Sequence, residues 1–225
     1  MDFRTEDQDE MCNLLQVRWT ITPLTAPQPW ITCGGCGEPR PFHSSGKVRL
    51  NANGRRLDAW LIYKCTSCDR TWNRPIFERQ NVRDIAPAVL EALRANDPEC
   101  VRREAFNLAA LRRKTRRIDE SDDVDIERAV LAEAPDFTRL EIFLAAPLPV
   151  SQRLDRLLAA ALDISRSELK ALRERGIVRA KPERADIFRK RINDGTSIAI
   201  DPPPEAGQRE LWLARVTGTS PPDAV

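Results

Sequence analysis

Apolar and polar residues alternate over residues 14–21, with Leu15, Val17, Trp19 and Ile21 on one side, which predicts a strand. Pro23, Pro27 and Pro29 mark an irregular connection after it. Residues 48–51 and 57–64 flank Asn53-Gly54 and read as a hairpin, because Asn-Gly supplies the positive φ values of a tight primed turn. The second arm, residues 57–63, is apolar at both parities, which places it centrally in its sheet. A return strand is expected over residues 71–77.

After about residue 82 the texture turns helical. Asp97-Pro98 is a capping residue followed by proline at the first helical position. Val101, Ala105, Leu108 and Leu111 then share one helical face. A further short helix is expected over residues 124–132, a strand over 140–144, and a last strand over 211–216. Leu154, Leu157, Leu158 and Ala161 form the apolar stripe of another helix. Ser165-Arg166-Ser167-Glu168 is a capping box opening the next one, which buries Leu169 and Leu172 and stops at Gly176. Asp194-Gly195 then makes a tight turn before a strand over residues 197–200.

Composition narrows the class. The chain has 225 residues, 41% hydrophobic and 31% charged, enough apolar material for packed cores. Lys and Arg (36) nearly balance Asp and Glu (34), so net charge points to no partner and only its distribution can. The longest apolar run, residues 142–150, contains Pro147 and Pro149 and falls far short of the ~20 residues of a membrane helix. The first residues lack the basic end and apolar stretch of a signal peptide, so a cytoplasmic location is expected. Residues 112–117 hold five cations and residues 119–125 five acids, an arrangement that can neutralise itself locally.

Four of the six cysteines form two CxxC pairs, Cys33/Cys36 and Cys65/Cys68, separated by a 28-residue insert that carries the hairpin. Two residues between cysteines let both thiolates of one turn point at one ion, and Gly37 permits the left-handed backbone that frees amides to face sulfur. Two such turns make a closed tetrahedral site, so Cys33, Cys36, Cys65 and Cys68 are the expected ligands of one structural Zn2+ in a zinc ribbon. With all four positions taken by protein, the metal would stabilise the fold and perform no chemistry. Cys12 and Cys100 read as buried structural cysteines, and His43 as an ordinary histidine beside a filled site.

Over residues 153–191 twelve basic residues face six acids, a local charge of +6 against +2 for the whole chain. Arg166, Lys170 and Arg173 recur at i, i+4 and i+7 and share a helical face, the footprint of phosphate-backbone binding. The order of elements here (RLDRLL, ISRSELKAL, G-x-V, then a D-G turn before a strand) resembles the alpha-L RNA-binding motif of ribosomal small-subunit protein four, tyrosyl-tRNA synthetases and pseudouridine synthases. That resemblance implies two short helices on a small sheet. It also implies contacts to structured RNA, such as ribosomal RNA or tRNA, from Arg153, Arg166, Lys170, Arg173, Arg179 and Lys181. The family usually has Val-Asn-Gly after the second helix, where this chain has Arg179-Ala180-Lys181-Pro182.

The first half carries a second resemblance. Arg18-Trp19-Thr20, the paired cysteines, the stretches 50–54 and 60–65, and Thr71-Trp72-Asn73 resemble an uncharacterised bacterial family, domain of unknown function 1062. It implies no activity.

Together these readings predict an α+β chain in contiguous blocks: a disordered tail over 1–12, a small antiparallel zinc-ribbon sheet over 13–80, a helical middle segment over 81–138, an alpha-L RNA-binding-like module over 139–216, and a disordered tail over 217–225. The expected function is zinc-containing, non-enzymatic RNA binding; a zinc-ribbon adaptor docking a protein partner is the alternative. The sequence has no glycine-rich phosphate loop, nucleophile elbow or histidine-based triad. Asp58 beside Trp60 and the Asn51/Asn53 pair are the most site-like remaining polar residues, and strand and turn chemistry accounts for them.

Overall fold

The first strand, β1 (Leu14–Pro23), buries Leu15, Val17, Trp19 and Ile21 on one face, and it finds its partner more than a hundred residues away. In the computed structural model, which describes residues 13–134, 136–205 and 207–219, two compact units emerge. One consists of Pro23–Asp123 and is inserted in the other, which the chain leaves at Thr22 and re-enters at Val124. These units do not follow the contiguous blocks expected from sequence texture, because β1 pairs outside the ribbon that local pattern assigns it to. The expected tails lie outside the described residues, apart from residues 217–219.

The inserted unit contains β2 (Gln28–Thr32), β3 (Pro39–Asn53), β4 (Arg56–Cys65), β5 (Thr71–Asn81), α1 (Pro87–Ala95), α2 (Pro98–Ala105), α3 (Leu108–Arg112) and β6 (Ile118–Asp119). Its strands are antiparallel in the order β5-β4-β3-β2-β6. The β3–β4 turn is Gly54-Arg55, closed by the Asn53–Arg56 pair, with Gly54 alone at positive φ; it sits one residue later than the Asn53-Gly54 turn read from sequence. On β4 only Leu57, Ala59, Leu61, Tyr63 and Cys65 are buried, while Asp58, Trp60 and Ile62 are half-exposed. The strand is interior to the sheet, as its pattern predicts, but covered on one face.

Val101, Ala105 and Leu111 pack on Leu61, Tyr63, Phe42 and the cysteines Cys33 and Cys65. The helix starts follow the sequence. Asp97 accepts the Cys100 N–H at 2.8 Å with Pro98 behind it, and Asn107 accepts the Ala110 N–H at 3.0 Å, dividing one predicted helix into α2 and α3. Arg117 lies 3.4 Å from the Trp30 ring centre and 3.6 Å from Asp119, which accepts the Trp30 indole N–H. The basic and acidic runs thus meet around one tryptophan.

The second unit adds β7 (Val124–Ala132), β8 (Arg139–Ala145), α4 (Leu154–Ala161), α5 (Arg166–Glu174), β9 (Val178–Lys181), β10 (Ser197–Ile200) and α6 (Gln208–Thr217). Its sheet runs β7-β1-β8-β10-β9, with β1 parallel to β8 and β10 antiparallel to both neighbours. Val17, Trp19, Ile142, Leu144, Ile198 and Ile200 meet Leu154, Leu157, Leu158 and Leu169 in one core.

Two expected elements change type. Residues 124–132 are a strand: Val124 and Ile126 alternate with exposed neighbours at period two, and sheet pairing with β1 overrides the helical reading. Residues 211–216 are helical: Gly207 and Gly218, both left-handed, bracket α6, and Trp212 and Val216 are buried one turn apart. The Trp19 indole N–H donates to the Val216 carbonyl at 2.8 Å and ties that helix to β1. The architecture is mixed α+β with two antiparallel-rich sheets and six α-helices among the described residues, and no described helix is long and apolar enough to cross a membrane.

At the sheet edge, burial pushes the Asp201 carboxyl up, but hydrogen bonds from Arg139 (2.7 Å) and Arg179 outweigh it and hold it below the usual carboxylate range. A carboxyl pKa lowered by folding means stability that is present above the unfolded value of ~3.9 and lost as pH falls through the folded value. Asp201→Asn is expected to cost about 1 kcal/mol at neutral pH, discounted for partial exposure. Urea titrations should show that difference shrink toward pH 3; an equal difference at both pH values contradicts the assignment.

Candidate functional sites: a four-cysteine cluster and a basic groove

Two matching turns build the cluster. In the first, the Cys33 N–H donates to the Glu38 carbonyl (3.0 Å), the Gly35 N–H to Cys33 Sγ (3.4 Å) and the Gly37 N–H to the Cys33 carbonyl (2.8 Å). In the second, Cys65 N–H meets the Arg70 carbonyl (2.9 Å), Ser67 N–H meets Cys65 Sγ (3.5 Å) and Asp69 N–H meets the Cys65 carbonyl (3.0 Å). Gly37 (φ +75°) and Asp69 (φ +56°) occupy the same left-handed position. Asp69 was not legible in the sequence, because aspartate tolerates this conformation without announcing it as glycine does. Gly35 is favoured for a different reason: a Cβ there would crowd the cluster, at 3.1 Å from Cys68 Sγ and 3.2 Å from Arg70 Nε.

The four sulfurs lie within 4.8 Å of one another, with Cys33–Cys68 at 3.4 Å and Cys36–Cys65 at 4.0 Å. Four sulfurs at ~2.3 Å from a common ion have tetrahedral edges of ~3.8 Å, which these separations bracket. A disulfide needs ~2.05 Å, and the cysteines are unbridged. Cys33 and Cys65 are buried, Cys36 is half-buried and Cys68 exposed, so the cluster sits at the edge of the core. Backbone N–H groups of Cys36 and Gly35 lower the Cys33 thiol to about 6, while hydrogen bonding with Cys68 and burial push Cys36 up to about 12. A bound metal ion would stabilise four thiolates together. His43, opposite Lys64 on β3, is not among the grouped ligand atoms, and Cys100 is buried as expected; Cys12 lies outside the described residues.

The basic residues converge on a groove of about 1000 Å³ formed by α5, β9 and the segment after it. Of the six residues carried over from sequence, Arg153, Arg166, Lys170, Arg173 and Arg179 line it, and Arg184 and Arg189 join them. Lys181 lies outside the lining and sits 3.9 Å from Glu141. Ser165 Oγ accepts the Glu168 N–H at 3.1 Å and starts α5, and buried Leu169 and Leu172 turn its basic face outward. Arg153 pairs with Asp155, Lys170 with Glu174 and Arg179 with Asp201, while Arg173 lies 3.8 Å from the Phe188 ring centre. The side chains of Arg166 and Arg189 have no hydrogen-bond or ion-pair partner among the described residues, while the Arg184 charge acts on Asp186. Arg184 and Arg189 were missed because nothing in local spacing brings the segment after β9 back against α5.

Asp58 accepts the Arg79 N–H at 2.6 Å where β5 bulges at Arg79 (φ +52°), the strand chemistry expected of it.

Fold and site define a mixed α+β protein with one four-cysteine cluster able to hold a metal ion and one cationic groove. The chain belongs to the DUF1062 family, described as a protein of unknown function, which matches residues 50–184. Comparison with curated proteins and with solved structures gives no match.

Proposed function

We propose that the chain is a zinc-containing, non-enzymatic RNA-binding protein whose groove grips the phosphate backbone of structured RNA. The observation that carries this reading is the convergence of seven cations, Arg153, Arg166, Lys170, Arg173, Arg179, Arg184 and Arg189, against three acids on one concave surface. The surface ion pairs within it are worth little and exchange readily for phosphate, and the unpaired Arg166 and Arg189 need no exchange at all. The alpha-L-like order of α4, α5 and β9 supports structured RNA, recognised by shape and backbone, as the ligand. Zinc is the cation best matched to four thiolates with no open position, and its role is structural.

Binding of a tRNA or ribosomal RNA hairpin should weaken steeply with salt. Replacing Arg166, Lys170 and Arg173 together by alanine should reduce the slope of log affinity against log salt by about three, one for each lost phosphate contact. Filter binding across a salt series reads this directly. Binding that ignores salt, or that survives the triple replacement unchanged, contradicts the proposal.

A further inference from the structure

The inserted unit has a second surface with the chemistry of a polynucleotide site, on the side of its sheet that the helices leave uncovered. β4 buries Leu57, Ala59, Leu61, Tyr63 and Cys65, so Asp58, Trp60, Ile62 and Lys64 stand on the opposite face. Register places Arg49 and Pro75 on either side of Trp60, Lys47 and Asn73 on either side of Ile62, and His43 and Thr71 on either side of Lys64. Directly paired residues across antiparallel strands have Cβ atoms ~5 Å apart, so these rows form one continuous face. At its centre Trp60, Ile62 and Pro75 are all half-exposed.

Cations outnumber acids on this face: Lys47, Arg49 and Lys64 stand with Asp58, which accepts the Arg79 N–H at 2.6 Å, and Glu78, which accepts the Trp60 indole N–H at 3.3 Å. Lys47, Arg49 and Lys64 are exposed, and none has a hydrogen-bond or ion-pair partner for its side chain among the described residues. Lys47 and Arg49 are alternate residues of one strand, ~6.6 Å apart along it, a spacing on the scale of one extended nucleotide.

We infer that this face binds single-stranded polynucleotide, with a base stacked on Trp60 and the flanking phosphates held by Lys47, Arg49 and Lys64. A half-exposed indole tethered by its N–H offers a π surface to an unpaired base, which a duplex keeps inside its stack. The surrounding cations supply the sequence-independent attraction for the strand. The inference goes beyond the groove reading and stands or falls apart from it.

The test is fluorescence anisotropy of a labelled oligouridylate with the full chain, alongside Trp60→Ala, Trp60→Phe and the Arg166/Lys170/Arg173 alanine variant, with circular dichroism and metal content confirming that each is folded. Trp60→Ala should weaken oligouridylate binding about tenfold or more, Trp60→Phe should restore most of it, and the groove variant should weaken it less than Trp60→Ala does. Binding of the structured hairpin should be insensitive to Trp60. Equal oligouridylate affinity for Trp60→Ala and the parent chain overturns the inference. So does loss of oligouridylate binding in the groove variant alone, which would leave the groove reading intact, or polyaspartate competing as well as the oligonucleotide.

Discussion

Cys65→Ser should unfold the inserted Pro23–Asp123 unit and abolish metal binding while sparing the other unit. Cys65 is fully buried and packs with Phe42, Leu61, Tyr63 and Leu111, so its sulfur joins the cluster to the core. A structural zinc supplies about 10 kcal/mol or more, comparable to the ~5–15 kcal/mol that holds a whole domain together. Losing a ligand from a closed site removes most of that stabilisation. The strands β1 and β8 pair in the other unit and belong to its own core, which contains none of the cysteine-cluster residues. Hydrogen exchange should show β3, β4 and β5 losing protection while β8 and β10 keep theirs. Retained protection in β4 would mean the cluster does not hold the unit together; collapse of both sheets would mean the units do not fold separately.

Glu104→Ala should be the most damaging change away from the cysteines. Arg74 is 1% exposed, and its Nη2 donates to both the backbone carbonyl and the Oε2 of Glu104 at 2.8 Å. Its Nε is buried without a partner, so the guanidinium depends on few contacts. Burial pushes the neighbouring Tyr63 hydroxyl up, partly offset by the Arg74 charge, which marks the surroundings as poorly solvated. Removing the carboxylate leaves a buried cation uncompensated, at a cost of about 3–5 kcal/mol. Arg74→Met removes the charge with similar volume and should cost far less, within ~1.5 kcal/mol. Urea denaturation of both variants checks the order; equal losses would show that the pair stabilises by packing and not by charge compensation.

The features legible in the sequence are those whose cause is local. Two residues between cysteines, a proline behind a capping aspartate, and a serine three residues before glutamate each fix their own geometry, and Cys33/Cys36, Asp97 and Ser165 occupy the predicted places. What failed depends on distant partners. β1 has the alternation of a ribbon strand, and only its pairing with β8 assigns it to the other unit. Residues 124–132 and 211–216 carry apolar patterns compatible with either period; the β7–β1 pairing decides the first, and the Trp19–Val216 hydrogen bond with two flanking left-handed glycines decides the second. Arg74, in a polar-looking strand, gave no sign that it would be buried. The basic face of α5 was readable from its spacing, whereas the groove needed Arg184 and Arg189 from a segment whose path is set by tertiary packing.

The most direct test of the account is metal analysis of the purified chain combined with X-ray absorption at the zinc edge. One zinc per chain, with four sulfur neighbours at ~2.3 Å, is the expected result. A chain that is folded with no bound metal, or a zinc whose shell includes nitrogen or oxygen, would contradict it.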